Sequence, residues 1–204
     1  MYYESELPSA LTHDPFKAIV APRPIGWIGT LNADGVPNLG PYSFFNAIST
    51  RPNLVAFSSE GWKHSAANAK LTGEFTFSLV THALRHQMNA SSANIEDGAN
   101  EFDKAGIEMG TPRIVKAPFV KASPAAFECK VVQSLELTGI DGTSAGSFLT
   151  IGQVVAVHID DDYIVDGIFD AQRARSVARC GYRNYATAET LWELGRPDGP
   201  AVPV

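Results

Sequence analysis

The first half of the chain is a succession of short β-prone stretches, each cut off by glycine, proline or asparagine before a long helix can develop. Residues 25–32 run into Asn32-Ala33-Asp34-Gly35, where Asp-Gly supplies a hairpin turn, and residues 36–40 return. Residues 44–49 and 53–58 make two further strands, parted by Thr50-Arg51-Pro52, whose proline lacks the N–H that a ladder needs. Connections this short join antiparallel neighbours, whereas parallel strands need crossovers of a dozen residues or more. The pattern predicts a mainly β molecule, an antiparallel barrel with a few peripheral helices.

Later segments fit that frame. Glu74-Phe75-Thr76-Phe77-Ser78-Leu79-Val80-Thr81 alternates with period two and is the clearest strand. Residues 125–137 and 148–160 are long strand candidates, after which Asp161-Asp162 turns the chain into residues 163–165. Helices are expected over residues 65–71, with Ser65 as N-cap and Gly73 as the C′ residue, over 82–90, near 100–105 within a polar excursion at 95–110, and over 170–178. No repeat or low-complexity linker divides the chain. Residues 1–204 are expected to form one domain ending in an extended tail at 196–204.

The formal charge of -6 argues against a general nucleic-acid binder, yet leaves room for a local cationic pocket. Cys129 and Cys180 lack metal-ligand spacing and read as thiols. No apolar run approaches the ~20 residues that cross a bilayer. Glu4 and Glu6 stand where a signal peptide would be basic, so a cytoplasmic protein without membrane attachment is expected. Dinucleotide and P-loop motifs are absent, and no metal site is expected from the five histidines.

Three segments carry chemistry. In Pro22-Arg23-Pro24-Ile25-Gly26-Trp27 the prolines stiffen the backbone and remove amide donors, leaving a segment suited to a planar ligand or an edge strand entering a barrel. In Asn38-Leu39-Gly40-Pro41-Tyr42-Ser43-Phe44-Phe45-Asn46, small polar groups flank two aromatics. A flavin needs such amide and hydroxyl partners beside apolar surface, although a polar strand end reads the same way. Phe44 and Phe45 point to opposite faces, so at most one meets a ligand. The third segment, Ser58-Ser59-Glu60-Gly61-Trp62-Lys63-His64-Ser65 running to Asn68, delivers Lys63 and Ser65 to a helix start, where free N–H groups favour phosphate; a solvated lysine beside a capped helix is the plainer alternative. His158, on a strand, is a rim histidine or a residue that orients a nicotinamide.

Together these segments resemble the flavin reductase family of FMN-binding split-barrel proteins, its flavoredoxin-like branch in particular. Met88-Asn89-Ala90-Ser91-Ser92, Glu101-Phe102, Phe127-Glu128-Cys129-Lys130, Gly152-Gln153-Val154-Val155 and the Arg179-Cys180-Gly181 region continue the resemblance in unbroken order. It implies a Greek-key split barrel, usually a homodimer, with FMN near the subunit interface. By the same resemblance, Arg23, Pro24, Ile25, Gly26, Trp27, Ile28, Ser43, Phe44, Phe45 and Asn46 line the isoalloxazine. Ser58, Ser59, Lys63, Ser65 and Asn68 hold the ribityl phosphate. The implied activity is reduction of flavin or another small acceptor by NADH or NADPH, with reduced flavin passed to a monooxygenase partner. Some relatives reduce ferric complexes or carry electrons without nicotinamide turnover. Two departures stand out: Lys63-His64-Ser65 replaces a Lys-Asp-Thr loop, and a single Gly181 replaces paired glycines.

Overall fold

The computed structural model describes residues 1–4, 6–93 and 100–195. Its main sheet contains β1 (Gly26–Leu31), β2 (Pro37–Tyr42), β3 (Phe45–Thr50), β4 (Asn53–Glu60), β5 (Glu74–Leu79), β6 (Ala125–Thr138) and β7 (Ser144–Ile159). The spatial order is β2-β1-β5-β6-β7-β4-β3, and every neighbouring pair is antiparallel. The edge strands β2 and β3 are consecutive in the chain, with only Ser43 and Phe44 between them. Two residues can join opposite edges only if the sheet curls round on itself, so this connection makes a barrel. At the seam, Ser58 N donates to Phe44 O at 2.8 Å and the Tyr42 and Phe57 rings lie 5.0 Å apart. The result is the expected mainly β split barrel.

The barrel interior is filled by Ile28, Phe45, Val55, Phe57, Phe75, Phe77 and Cys129, joined by Ala66 and Ala69 from helix α1 (His64–Thr72). Small side chains on this helix face allow it to pack closely against β1, β2 and β7. It stops where expected, at Gly73, whose φ of 71° suits a residue without Cβ. Its N-cap is Lys63, two residues before the expected Ser65, which lies within the first turn.

A second cluster (Ile25, Trp27, Leu39, Val80, Met88, Phe102, Val120 and Val177) involves the helices α2 (Arg85–Ala90) and α3 (Glu101–Lys104). Trp27 and Ile28 therefore pack into different clusters, and β1 is covered on both faces. β5 is buried twice as well. Its phenylalanines enter the barrel, while Lys116 N donates to Glu74 at 2.6 Å, Thr76 Oγ1 to Pro118 O at 2.6 Å and Val120 N to Ser78 Oγ at 2.9 Å. Period two here separates two covered faces rather than core from solvent.

The expected helix at 170–178 is shorter, only Ala171–Ala174, because Arg175 turns left-handed with φ 47°. Val177–Arg179 instead pairs with both Arg23–Pro24 and Tyr185–Thr187. The expected tail at 196–204 and part of the excursion, residues 94–99, lie outside the described residues. Cys129 and Cys180 are both free thiols.

Candidate functional site

A cleft of about 510 Å³ opens where β2, the β4–α1 loop, the end of α2 and the start of α3 meet, within the range of small-molecule sites. Tyr42, Phe44 and Trp62 are its aromatic residues, and Lys17, Lys63, His64, Glu60 and Glu101 its ionisable ones. The Phe44 ring has the Lys17 ammonium 5.7 Å and the Arg23 guanidinium 5.6 Å from its centroid. Arg23 also donates to the carbonyls of Lys17 and Val20, anchoring the segment before β1 beside the cleft. Lys17 pairs with Glu60 at 3.1 Å, and Trp62 packs edge-on against Phe148 of β7 with centroids 4.5 Å apart.

The α1 start faces this cleft without a side-chain cap and without an acidic residue in its first turn. Its first-turn N–H groups and the positive end of the helix dipole thus meet an opening flanked by Lys63, a combination suited to an anion.

Behind the opening lies a polar network. Asn38, with its amide nitrogen turned to Glu101, donates to Glu101 Oε1 at 3.1 Å and accepts from Ser65 Oγ at 2.9 Å and Thr30 Oγ1 at 3.2 Å. The other Glu101 oxygen accepts Leu39 N at 3.1 Å. Burial raises the Glu101 pKa, against hydrogen bonds and the electrostatic effects of His64 and Lys104, which favour the carboxylate. Burial likewise raises that of Tyr42, whose hydroxyl is hydrogen bonded to Ser65 and Ser59.

Of the residues expected at a ligand, Ser43, Phe44, Ser58, Lys63 and Ser65 line the cleft together. The others do not. Trp27 and Ile28 have no exposed surface, and Trp27 Nε1 donates to Ser91 Oγ at 2.9 Å. Ile25 and Gly26 are buried, Pro24 is exposed away from the cleft lining, and Phe45 stacks on Phe77 inside the barrel at 4.7 Å. Asn46 is exposed on β3 and accepts from Ala47 N, Ser59 donates to Gly61 O, and Asn68 reaches Thr30 Oγ1 at 3.3 Å. Sequence reasoning missed Lys17, Tyr42, Trp62, Ser91, Ser92 and Glu101. The motifs that carry the resemblance contain Tyr42, Ser91, Ser92 and Glu101, but a role for Glu101 depends on contacts made 62 residues away.

His158 belongs elsewhere. It lines a second cleft of about 490 Å³ with Met109, Phe119 and Lys121, and its ring packs against Phe119 with centroids 4.5 Å apart. His158 lies ten residues along β7 from Phe148, the residue that packs on Trp62, and does not line the first cleft. Its Nε2 lies 2.6 Å from the fully buried Glu128, whose carboxylate also accepts from Arg113 N, Ile114 N and Val115 N at 2.8, 2.6 and 2.7 Å. Burial opposes this charge, but the four donors outweigh it and bring the Glu128 pKa down to about 2. No cluster of His, Cys, Asp or Glu among the described residues could hold a metal.

Fold and site define a split-barrel protein with a cleft at the start of α1. Residues 20–177 match the flavin reductase like domain, and the chain belongs to that family. An uncharacterized protein of Deinococcus radiodurans is 34% identical over 93% of this chain and 86% of its own. Nitrilotriacetate monooxygenase component B from Bacillus cereus superposes with a TM-score of 0.84 at 23% identity, covering 95% of this chain and all of that one. A Shewanella frigidimarina protein solved as a candidate flavin reductase with a split barrel domain gives 0.79 at 27% identity, over 89% of both chains. No helix among the described residues is long and apolar enough to cross a membrane.

Proposed function

We propose that the cleft binds FMN and that the protein passes hydride or electrons from NADH or NADPH through it to a small acceptor. The observation that carries this reading is the uncapped start of α1 beside Lys63, opening into a cleft with aromatic walls in a chain of the flavin reductase like family. A ligand with a phosphate at one end and a flat ring at the other matches both features. Lys63 and the first-turn N–H groups of α1 would hold the phosphate through charge-assisted bonds. Tyr42, Phe44 and Trp62 supply apolar surface for the ring and exclude water from it, while Ser43 and Ser58 offer hydroxyls. Bound FMN would supply the two-electron chemistry. The protein's share is binding, orientation and water exclusion, and no side chain is assigned proton transfer.

A homodimer that brings further residues to the cleft, and a monooxygenase consuming reduced flavin, complete the proposal. Adding FMN to purified protein and following NADH and NADPH oxidation tests it. A yellow complex bleached by either nucleotide is expected. Bleaching by dithionite alone would leave an electron carrier, and failure to bind FMN would remove the reading altogether.

A further inference from the structure

Asn38 lies between the Glu101 carboxyl and the Ser65 and Thr30 hydroxyls, so the direction of its amide is tied to whether Glu101 accepts or donates. With Glu101 ionised, Asn38 gives its amide N–H to Oε1 at 3.1 Å, and its oxygen accepts from Ser65 Oγ at 2.9 Å and Thr30 Oγ1 at 3.2 Å. The Ser65 proton is then turned inward. With one proton taken from solvent onto Oε1, Glu101 becomes a donor to the Asn38 oxygen across the same 3.1 Å. The amide turns over, and Asn38 Nδ2 donates to Ser65 Oγ at 2.9 Å and to Thr30 Oγ1 at 3.2 Å. Leu39 N keeps its bond to Oε2 at 3.1 Å in either state. Ser65, now an acceptor from Asn38, can point its own proton into the cleft it lines. An anionic oxygen there is a stronger acceptor than the Tyr42 hydroxyl.

We propose that Glu101, Asn38 and Ser65 form a proton-linked hydrogen-bond switch under the cleft floor, in which protonated Glu101 releases the Ser65 hydroxyl to donate to the phosphate of a bound ligand. Glu101 is therefore a positioning residue that acts through Asn38. The proposal rests on the phosphate-binding reading of this cleft and adds a control to it. The groups that face Glu101 are His64 at the α1 start, Lys104 on its own helix and Tyr42 on β2. His64 and Lys104 favour the carboxylate while burial opposes it, and burial is the larger effect, so the proton is taken up above the ordinary value of 4.5.

The test compares FMN with riboflavin, which lacks the phosphate, in wild type, Glu101→Gln and Ser65→Ala. Affinities are read by flavin fluorescence over roughly pH 5 to 8, a span that covers raised carboxylates. The FMN phosphate itself titrates near pH 6, so each wild-type value is divided by the Glu101→Gln value at the same pH. The ratio of dissociation constants is expected to rise about tenfold with pH for FMN, as one charge-assisted bond is lost, and to stay flat for riboflavin. In Ser65→Ala, FMN binding should be weak and lose the Glu101-dependent part of its pH response. If Ser65→Ala keeps that response, direct repulsion by the carboxylate explains it and the switch is wrong. A ligand-free readout separates this failure from failure of the FMN reading. The Asn38 side-chain amide resonances should shift with the same midpoint as the Glu101 carboxyl carbon in wild type and stay still in Glu101→Gln. Unmoving Asn38 resonances would overturn the switch even in a protein that binds FMN.

Discussion

In the proposed reading of the cleft, phosphate binding rests on single side chains. Lys63 stands at the N-cap of α1 and lines the cleft, so Lys63→Ala should weaken FMN binding by roughly tenfold or more. Riboflavin binding should be unchanged in a parallel titration, and equal losses for both ligands would contradict a phosphate role. Glu128 tests a structural charge instead. Its pKa falls from 4.5 to about 2, below the unfolded value, so its stabilisation is complete above that unfolded value and disappears as pH falls through the folded one. The shift corresponds to about 3 kcal/mol. Chemical denaturation of Glu128→Gln at pH 7 should show a deficit of that order, shrinking toward acid pH.

Part of the candidate cleft's lining was readable at this scale where the signal was local. Lys63 follows a Gly-Trp turn and precedes a helix, a pattern visible in a few consecutive residues. Ser65 read as a cap because Ser is a common N-cap residue. The cap is Lys63, two residues earlier, which puts Ser65 inside the first turn and its hydroxyl on Asn38. Trp27 read as a ligand contact because nothing local reveals that a second cluster, built from residues as distant as Val177, covers that face of β1.

At the scale of elements, the strands were the legible part and the packing layers were not. Asp34-Gly35 gave the β1–β2 hairpin, and Gly35 has φ 79° there. β5 alternates clearly, yet its polar residues are buried under residues 113–120. Only tertiary contacts reveal that. Gly29 is where this layer approaches closest: a Cβ there would meet Pro118 O at 2.2 Å and Thr76 Oγ1 at 2.5 Å. A backbone carbonyl cannot swing aside, so Gly29→Ala should cost ~1–3 kcal/mol in a denaturation midpoint experiment. A neutral substitution would mean that the 113–120 segment yields freely.

For the whole molecule, closure follows from a two-residue link between opposite sheet edges, and the cleft lies at that link because Ser43 and Phe44 line it. The expected architecture rested on hairpin spacing, but the identity of the edges emerges only from strand pairing across long sequence separations. A ligand in the cleft would touch β2, the β4–α1 loop and the start of α3 at once. Saturating FMN at ~100 times its dissociation constant should therefore add about 2.7 kcal/mol of stability and raise the melting temperature by roughly 5–10 °C.

The most direct measurement is a titration of the purified protein with FMN and with riboflavin, followed through flavin fluorescence. Saturable FMN binding, at least about tenfold tighter than riboflavin because a charged phosphate contact is worth that much, is the result expected. Equal affinity for the two flavins, or no binding of either, would contradict a cleft built around the α1 start and Lys63.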